Sequence, residues 1–383
     1  MAQIGAMIGL PIALLLASAP ADPRPPAQAQ AELRASHNAL SPDTDGSFLD
    51  GDPKAPALLD RHWAAIRRWT EAWLDANRPA APRRLAAAAK AADRNLEVSA
   101  LDIAPGVLAV SASENEIGTV FILRRTEDGF RTAWTASAPG RAALVGYPTL
   151  AGWSPGMART SCRESGRTCG PLYGKLGSLP PQKNGRRRFY IDATYAQPAG
   201  ATVGGQLSIW EWDGHEAKPL FADTYQYMID QPYRVHVDRS ILHVGVKGEF
   251  RTFFSCGQCS GRQMDWRIAV DEDGVRDLGR RDRVPELALA DALLDRMFRR
   301  RPSPGVAPAD LRLLRRQVAE ADDERAFGML MGWTLRRRGR VEELCLAGDA
   351  DTDIFTFEKS AAGLRLLSMR KGSGSGCGNK AKS

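Results

Sequence analysis

Met264-Asp-Trp-Arg-Ile-Ala-Val-Asp-Glu-Asp-Gly-Val275 places apolar side chains at alternate positions, Met264, Trp266, Ile268 and Val270, then breaks at Asp-Glu-Asp-Gly and resumes at Val275. A period of two is the signature of a strand with one buried face. An Asp-Gly step between two such runs marks a tight hairpin, because the turn needs residues that tolerate positive φ. The same grammar occurs at Thr119-Val-Phe-Ile-Leu-Arg-Arg-Thr-Glu-Asp-Gly-Phe130 and at Gln206-Leu-Ser-Ile-Trp-Glu-Trp-Asp-Gly-His215. A weaker copy is Asp353-Ile-Phe-Thr-Phe-Glu-Lys-Ser-Ala-Ala-Gly-Leu364. Gly129, Gly214, Gly274 and Gly363 are unevenly spaced, so the copies repeat in kind and not at a fixed period.

Shorter alternating runs flank these hairpins at Val107–Ala112, Arg131–Thr135, Phe189–Tyr195, Tyr233–Val237, Ile241–Val246 and Val275–Leu278. Around the first three copies they complete four-stranded meanders, the unit from which β-propeller blades are built. The fold expected is mainly β, repeated antiparallel hairpin meanders, propeller-like, with a β-sandwich as the alternative. Three units are defensible. The stretch 138–186 either hides another or is an insertion.

Helical periodicity brackets the meanders. Leu58, Leu59, His62, Ile66, Trp69 and Trp73 form one apolar stripe, ended by Pro79 and Pro82, and Leu85–Ala92 is a short Ala-rich helix. Between 285 and 338 the period is again helical: Pro285 and Pro308 suit first-turn positions, and Leu287, Leu294, Leu311 and Leu314 follow on single faces. The expected organisation is therefore a signal peptide over 1–21, a Pro- and Ala-rich linker over 22–56 and a helical segment over 57–95. The β-meander repeats follow over 96–284, a helical insertion over 285–338, closing strands over 339–371 and a flexible tail over 372–383.

Met1–Ala21 carries no charged side chain; Ile4–Leu16 is apolar apart from Gly and Pro, and Ala17-Ser18-Ala19 is a small-residue cut site. That order implies a cleaved secretion signal, although the n-region lacks Lys and Arg. An uncleaved anchor is the alternative. No other stretch is apolar over the length a bilayer span needs. The expected location is periplasmic or secreted, with no membrane span once the signal is removed.

The 383 residues, 43% hydrophobic and 25% charged, suffice for more than one core, and the formal charge is +7. Arg186–Arg188, Arg280-Arg281, Arg299–Arg301 and Arg336–Arg338 are basic runs, each with acidic neighbours, so a solvated surface is their plain reading. An attraction to anionic envelope material is the functional one. The partners expected are an envelope protein or an anionic glycan, and export argues against nucleic acid.

Six cysteines, Cys162, Cys169, Cys256, Cys259, Cys345 and Cys377, form an even set in an exported chain, which argues for disulfides. Their grouping suggests Cys162–Cys169, Cys256–Cys259 and Cys345–Cys377. Cys256-Gly-Gln-Cys259 also invites a redox or a zinc reading. No helix follows it to lower a thiol pKa, and the six-residue spacing of Cys162 and Cys169 is unusual for a second zinc pair. No cofactor or metal is expected.

Gly152-Trp153-Ser154-Pro155-Gly156 matches the G-x-S-x-G elbow, but Pro155 has no N–H to donate to an oxyanion. His236 and His243 fall on adjacent strands with Asp238 between them, a metal or acid–base pair if they face each other, cross-strand packing otherwise. His62 lies on an apolar helix face and is expected in the core. Asp43, Asp45, Asp50 and Asp52 form an acidic loop without EF-hand spacing. Asp192 and Glu211 are strand carboxylates that could hydrolyse a glycoside if roughly 5–10 Å apart. Trp134, Trp210, Trp212 and Trp266 are expected to pack between sheets. No catalytic constellation survives. The chain is therefore expected to be an exported non-catalytic binding or scaffold protein, with an envelope polysaccharide or peptidoglycan hydrolase, or a thiol- or metal-handling protein using Cys256 and Cys259, as alternatives.

Overall fold

The computed structural model describes residues 27–40, 55–77, 82–114, 117–135, 174–195, 202–228, 234–252, 261–300, 305–318, 330–348 and 352–372. Among them, every strand belongs to one of four antiparallel four-stranded sheets, each a meander in which sequential strands pair. The first comprises β1 (Leu96–Ala104), β2 (Val107–Glu114), β3 (Ile117–Thr126) and β4 (Gly129–Thr135). The second comprises β5 (Lys175–Ser178), β6 (Arg187–Tyr195), β7 (Thr202–Trp212) and β8 (Ala217–Met228). The third comprises β9 (Val235–Asp238), β10 (Ile241–Gly248), β11 (Arg262–Asp271) and β12 (Gly274–Asp282). The fourth comprises β13 (Leu330–Arg338), β14 (Val341–Gly348), β15 (Thr352–Ser360) and β16 (Gly363–Gly372). The architecture is mainly β and propeller-like, and the sandwich alternative is set aside by four separate sheets in place of two.

Alternation along each strand decides the stacking. One face of the first sheet, Leu96, Val98, Leu108, Val110, Phe121 and Leu123, packs against three N-terminal helices. These are α1 (Ala27–Leu40), α2 (Ala55–Ala76) and α3 (Pro82–Ala92). The opposite face, with Ile103, Ala109, Val120 and Ile122, meets Phe189, Ile191, Trp210 and Trp212 of the second sheet. The other face of the second sheet, through Leu207, Ile209 and Tyr225, closes on Val244, Trp266 and Ile268 of the third. Trp210 and Trp266 are almost fully buried, as expected of the strand tryptophans. Two helices, α4 (Pro285–Phe298) and α5 (Pro308–Gln317), join the third sheet to the fourth through Leu287, Leu293, Leu294, Leu314, Phe355 and Phe357. Pro285 and Pro308 both stand in the first turn, where their missing N–H costs nothing.

Two boundaries differ from the sequence reading. Residues 27–40, within the stretch read as a linker, form α1; among its described side chains Ala29, Leu33 and Ser36 are the buried ones, too few apolar positions to betray a stripe. Leu330–Arg338, read as the end of the helical insertion, is β13. It supplies the leading strand of the fourth sheet, so that unit is a complete meander and not a three-strand remnant. Its alternation is masked by a bulge between Leu330 and Gly332 and by the Arg336–Arg338 run.

The outer edge of the first sheet shows how an exposed strand is protected. Glu71 and Asp75 of α2 accept the free N–H groups of β4: Thr132 N–H donates to Glu71 at 2.7 Å and Phe130 N–H to Asp75 at 2.8 Å. Gly129 opens β4 at φ +123°, and a Cβ there would lie 2.3 Å from an Asp75 carboxylate oxygen. Gly129→Ala therefore forces both a disfavoured backbone region and displacement of the carboxylate that caps the edge. The expected loss is about 2 kcal/mol in chemical denaturation, whereas an unchanged midpoint would show the edge cap to be dispensable.

Candidate functional site

The face of the first sheet that meets the second is apolar over most of its length and polar at one end. Glu97 of β1 pairs with Ser113 of β2, and Ser99 with Ser111, so one carboxylate and three hydroxyls lie together on that face. Opposite them begins β5, only four residues long. Its brevity leaves a cleft of ≈ 250 Å³ at the junction of the two sheets. Ser111 Oγ accepts the Gly174 N–H at 2.7 Å and Ser99 Oγ accepts the Leu176 N–H at 3.1 Å. With their oxygens so engaged, the hydroxyl protons remain available as donors.

Across the cleft stand Lys175, Asp192 and Arg234. Lys175 and Asp192 are cross-strand partners on β5 and β6. Asp192 is 2% exposed, and its two oxygens are separately held: Oδ1 accepts the Tyr225 hydroxyl at 2.6 Å and Oδ2 accepts Arg234 Nε at 2.6 Å. Arg234 leads into the third sheet, where its carbonyl accepts the Gly245 N–H, and its guanidinium lies 5.5 Å from the centre of the Tyr227 ring. One residue thus ties the third sheet to the second at the cleft wall.

Burial pushes the Asp192 carboxyl up from its ordinary range, and the Arg234 charge and the two hydrogen bonds pull it back. The Tyr225 hydroxyl is held well above its usual value, by burial first and by the Asp192 charge second. Burial works to lower the Arg234 value, but the Asp192 charge, the Tyr225 hydroxyl and the hydrogen bond to Asp192 together outweigh it and the net direction is up. The arrangement is a carboxyl group clamped between a guanidinium and a phenol.

Backbone close approach positions this clamp. Gly205 on β7 is the register partner of Tyr225 on β8, and a Cβ at Gly205 would sit 2.5 Å from the tyrosine Cζ. The ring crosses the bare glycine and reaches Asp192. The same device lets Tyr190 lie over its partner Gly177, where a Cβ would be 2.1 Å from the ring.

The residues singled out from sequence are distributed differently. Asp192 and Glu211 share a face of the second sheet, but Asp192 pairs with Leu207 while Glu211 pairs with Arg188. Four positions of strand separate them, about 14 Å at ~3.4 Å per residue. Glu211 is neutralised by Arg186 at 2.8 Å and Arg188 at 2.9 Å, so this pair cannot flank one glycosidic bond. His236 and His243 do face each other, their rings stacked 4.6 Å apart. The carboxylate beside His243 Nδ1 is Asp265 at 2.9 Å, while Asp238 pairs with Ile241. His62 is fully buried with Nδ1 3.0 Å from Ser36 Oγ, a core residue. Among the described residues, no group of three or more His, Cys, Asp or Glu side chains is arranged to hold a metal. Cys345 is buried on β14. Cys162, Cys169, Cys256, Cys259 and Cys377 lie outside the described residues, as do the signal segment, the acidic loop at 43–52 and the Gly152–Gly156 motif.

Lys175, Arg234, Glu97 and the serines were not recognised as a site from sequence. The available signal was the run of serines at alternating strand positions on an otherwise apolar face.

Four registered meanders define the class of fold as propeller-like. No protein-family model matches the chain. No curated protein matches it. Among solved structures it is similar to the β-propeller domain of Nup133 from Vanderwaltozyma polyspora, at 9% identity over 72% of this chain and 63% of that one, with a TM-score of 0.26. The chain thus spans less than two thirds of that domain, and at so low a score the likeness carries no weight for fold or function.

Proposed function

We propose that this is an exported, non-catalytic binding protein whose ligand seat is the polar cleft between the first and second sheets. The observation that carries the reading is the cleft's donor-rich lining, with Lys175, Arg234 and three serine hydroxyls around a space of ≈ 250 Å³. Lys175 makes no direct ion pair or hydrogen bond among the described residues, and its side chain is exposed. An unengaged ammonium beside a positioned guanidinium suits an anionic partner, which agrees with the anionic glycan expected from composition and compartment. Export rests on the uncharged apolar N-terminus and its small-residue cut site. The disulfides Cys162–Cys169, Cys256–Cys259 and Cys345–Cys377 belong to the same proposal. No helix among the described residues is long and apolar enough to cross a membrane.

Titration calorimetry of the mature protein with acidic monosaccharides and short acidic oligosaccharides tests the reading, binding of either being the expected result. Binding is expected, and Lys175→Ala is expected to weaken it 3- to 10-fold without lowering the melting temperature. Binding that ignores Lys175 would place the seat elsewhere.

A second reading, an envelope polysaccharide hydrolase, is favoured by one fact: Glu97 and Asp192 line the same cleft, and burial raises the Asp192 carboxyl as an acid catalyst requires. Against it, Arg234 and Tyr225 occupy both Asp192 oxygens. New reducing ends from an acidic polysaccharide, lost in Glu97→Gln, would establish hydrolysis; the binding reading expects none.

A further inference from the structure

We infer that the group recognised in the cleft is a carboxylate, received end-on by Arg234 with Lys175 beside it, on a small hydroxylated ligand the size of one sugar-acid ring. This inference rests on the cleft being the ligand seat. Its basis is the way Arg234 is held. The Nε edge of the guanidinium is taken by Asp192 at 2.6 Å, and its face lies over the Tyr227 ring. Of the five N–H donors of an arginine, those left are on the terminal Nη groups, and the residue lines the cleft. A guanidinium fixed along one edge and one face is a pre-ordered fork, and a planar carboxylate is the anion that meets such a fork with two parallel hydrogen bonds. Pre-ordering matters because the cost of immobilising a long side chain is met before the ligand arrives.

The rest of the lining sets what carries the carboxylate. Ser99 and Ser111 offer hydroxyl protons, Ser113 a third hydroxyl, and Glu97 an acceptor with no direct contact among the described residues. Val98 borders the cleft through its backbone position on β1, its side chain turned to the helix-covered face of the first sheet. A ring of hydroxyls would find both donors and an acceptor there. The volume lies below the ~300–1,000 Å³ of sites for drug-sized molecules, so one ring enters and a polymer does not. The same chemistry is available from a free sugar acid or from the terminal residue of an acidic glycan.

The test is calorimetry on the mature full-length protein at low ionic strength, with sodium galacturonate, a galacturonate trisaccharide, galactose and galactose 6-sulfate as probes. Galacturonate is expected to bind at least 10-fold more tightly than galactose, with the sulfate in between. Arg234→Lys, which keeps the charge and loses the fork, is expected to weaken galacturonate at least 10-fold while changing the sulfate less. Lys175→Ala, at an exposed position, serves as the second variant should Arg234→Lys fold poorly, with an expected loss of 3- to 10-fold. A trisaccharide that matches the monomer identifies a chain end as the source, and one that fails to bind identifies the free acid; both support carboxylate recognition. Galactose binding as tightly as galacturonate, with the Lys175→Ala effect retained, would overturn the carboxylate and leave the cleft standing. Binding of no probe, or binding indifferent to both substitutions, would overturn the carboxylate and the cleft together.

Discussion

Asp192→Ala is expected to destabilise the protein by about 3 kcal/mol and to weaken any cleft ligand at least 10-fold. The carboxylate is 2% exposed and accepts from both the Arg234 Nε and the buried Tyr225 hydroxyl. Removing one member of a buried ion pair costs about 3–5 kcal/mol because the surviving charge is stranded. The lower end applies here, since the Arg234 side chain is 28% exposed and can recover some water. The Tyr225 hydroxyl, on a residue 1% exposed, has no such escape. Asp192→Asn keeps the shape and can still accept from Tyr225, so it should cost about half as much. Urea unfolding with the slope held constant measures both. A loss below ~1 kcal/mol for Asp192→Ala would show that the clamp does not hold the second and third sheets together.

A loss of stability from the Glu286–Glu342 pair is also expected as pH rises above the ordinary glutamate range, and Glu342→Gln should remove part of it. Glu286 opens α4 and Glu342 lies on β14; they are 1% and 2% exposed. The Glu286 carboxyl is pushed up, by burial first and then by its hydrogen bond to the Glu342 carboxyl. The cation facing the pair is Arg337 on β13, whose Nε is 3.4 Å from Glu342. Two carboxyls joined by a hydrogen bond share one proton. A raised folded-state pKa means that the native protein binds more protons than the unfolded chain between the ordinary glutamate value and the folded one. Stability is therefore full below that window and declines through it as pH rises, by about 1.4 kcal/mol per unit of difference. Asp192 and Asp282, also raised by burial, act with the same sign. In Glu342→Gln the amide donates to Glu286 without a proton to lose, so the melting temperature should vary less between pH 5 and 9 than in the parent. An unchanged pH dependence would mean that the pair is not protonated in the native state.

The hairpins were legible because their chemistry is local. The alternation of Met264, Trp266, Ile268 and Val270 and the positive φ of Gly274, +130°, are written within a dozen residues. The stripe of α2 was legible for the same reason, and so was the first-turn placement of Pro285 and Pro308. α1 was not, because it docks through Leu33 and a few small residues and is anchored by polar contacts to distant helices, such as Arg68 to Glu32 at 2.8 Å. β13 was hidden because its burial depends on α4 and α5 covering one face, a tertiary fact. The cleft escaped notice for a stronger reason. Ser99 and Ser111 belong to the first sheet, Lys175 and Asp192 to the second, and Arg234 to the approach to the third, so only the packing of three meanders unites them. Asp192 was noticed as a carboxylate and assigned the wrong companion, Glu211, because sequence does not tell on which strand an ion pair will close.

Hydrogen exchange read by mass spectrometry, on the mature protein with and without saturating galacturonate, tests the cleft most directly. Peptides covering 97–113, 174–179 and 234–245 should exchange more slowly with ligand, and the fourth sheet should be unaffected. Protection confined to the fourth sheet or to α4, or none at 174–179 and 234–245 under saturating ligand, would contradict a seat built by Ser99, Lys175 and Arg234.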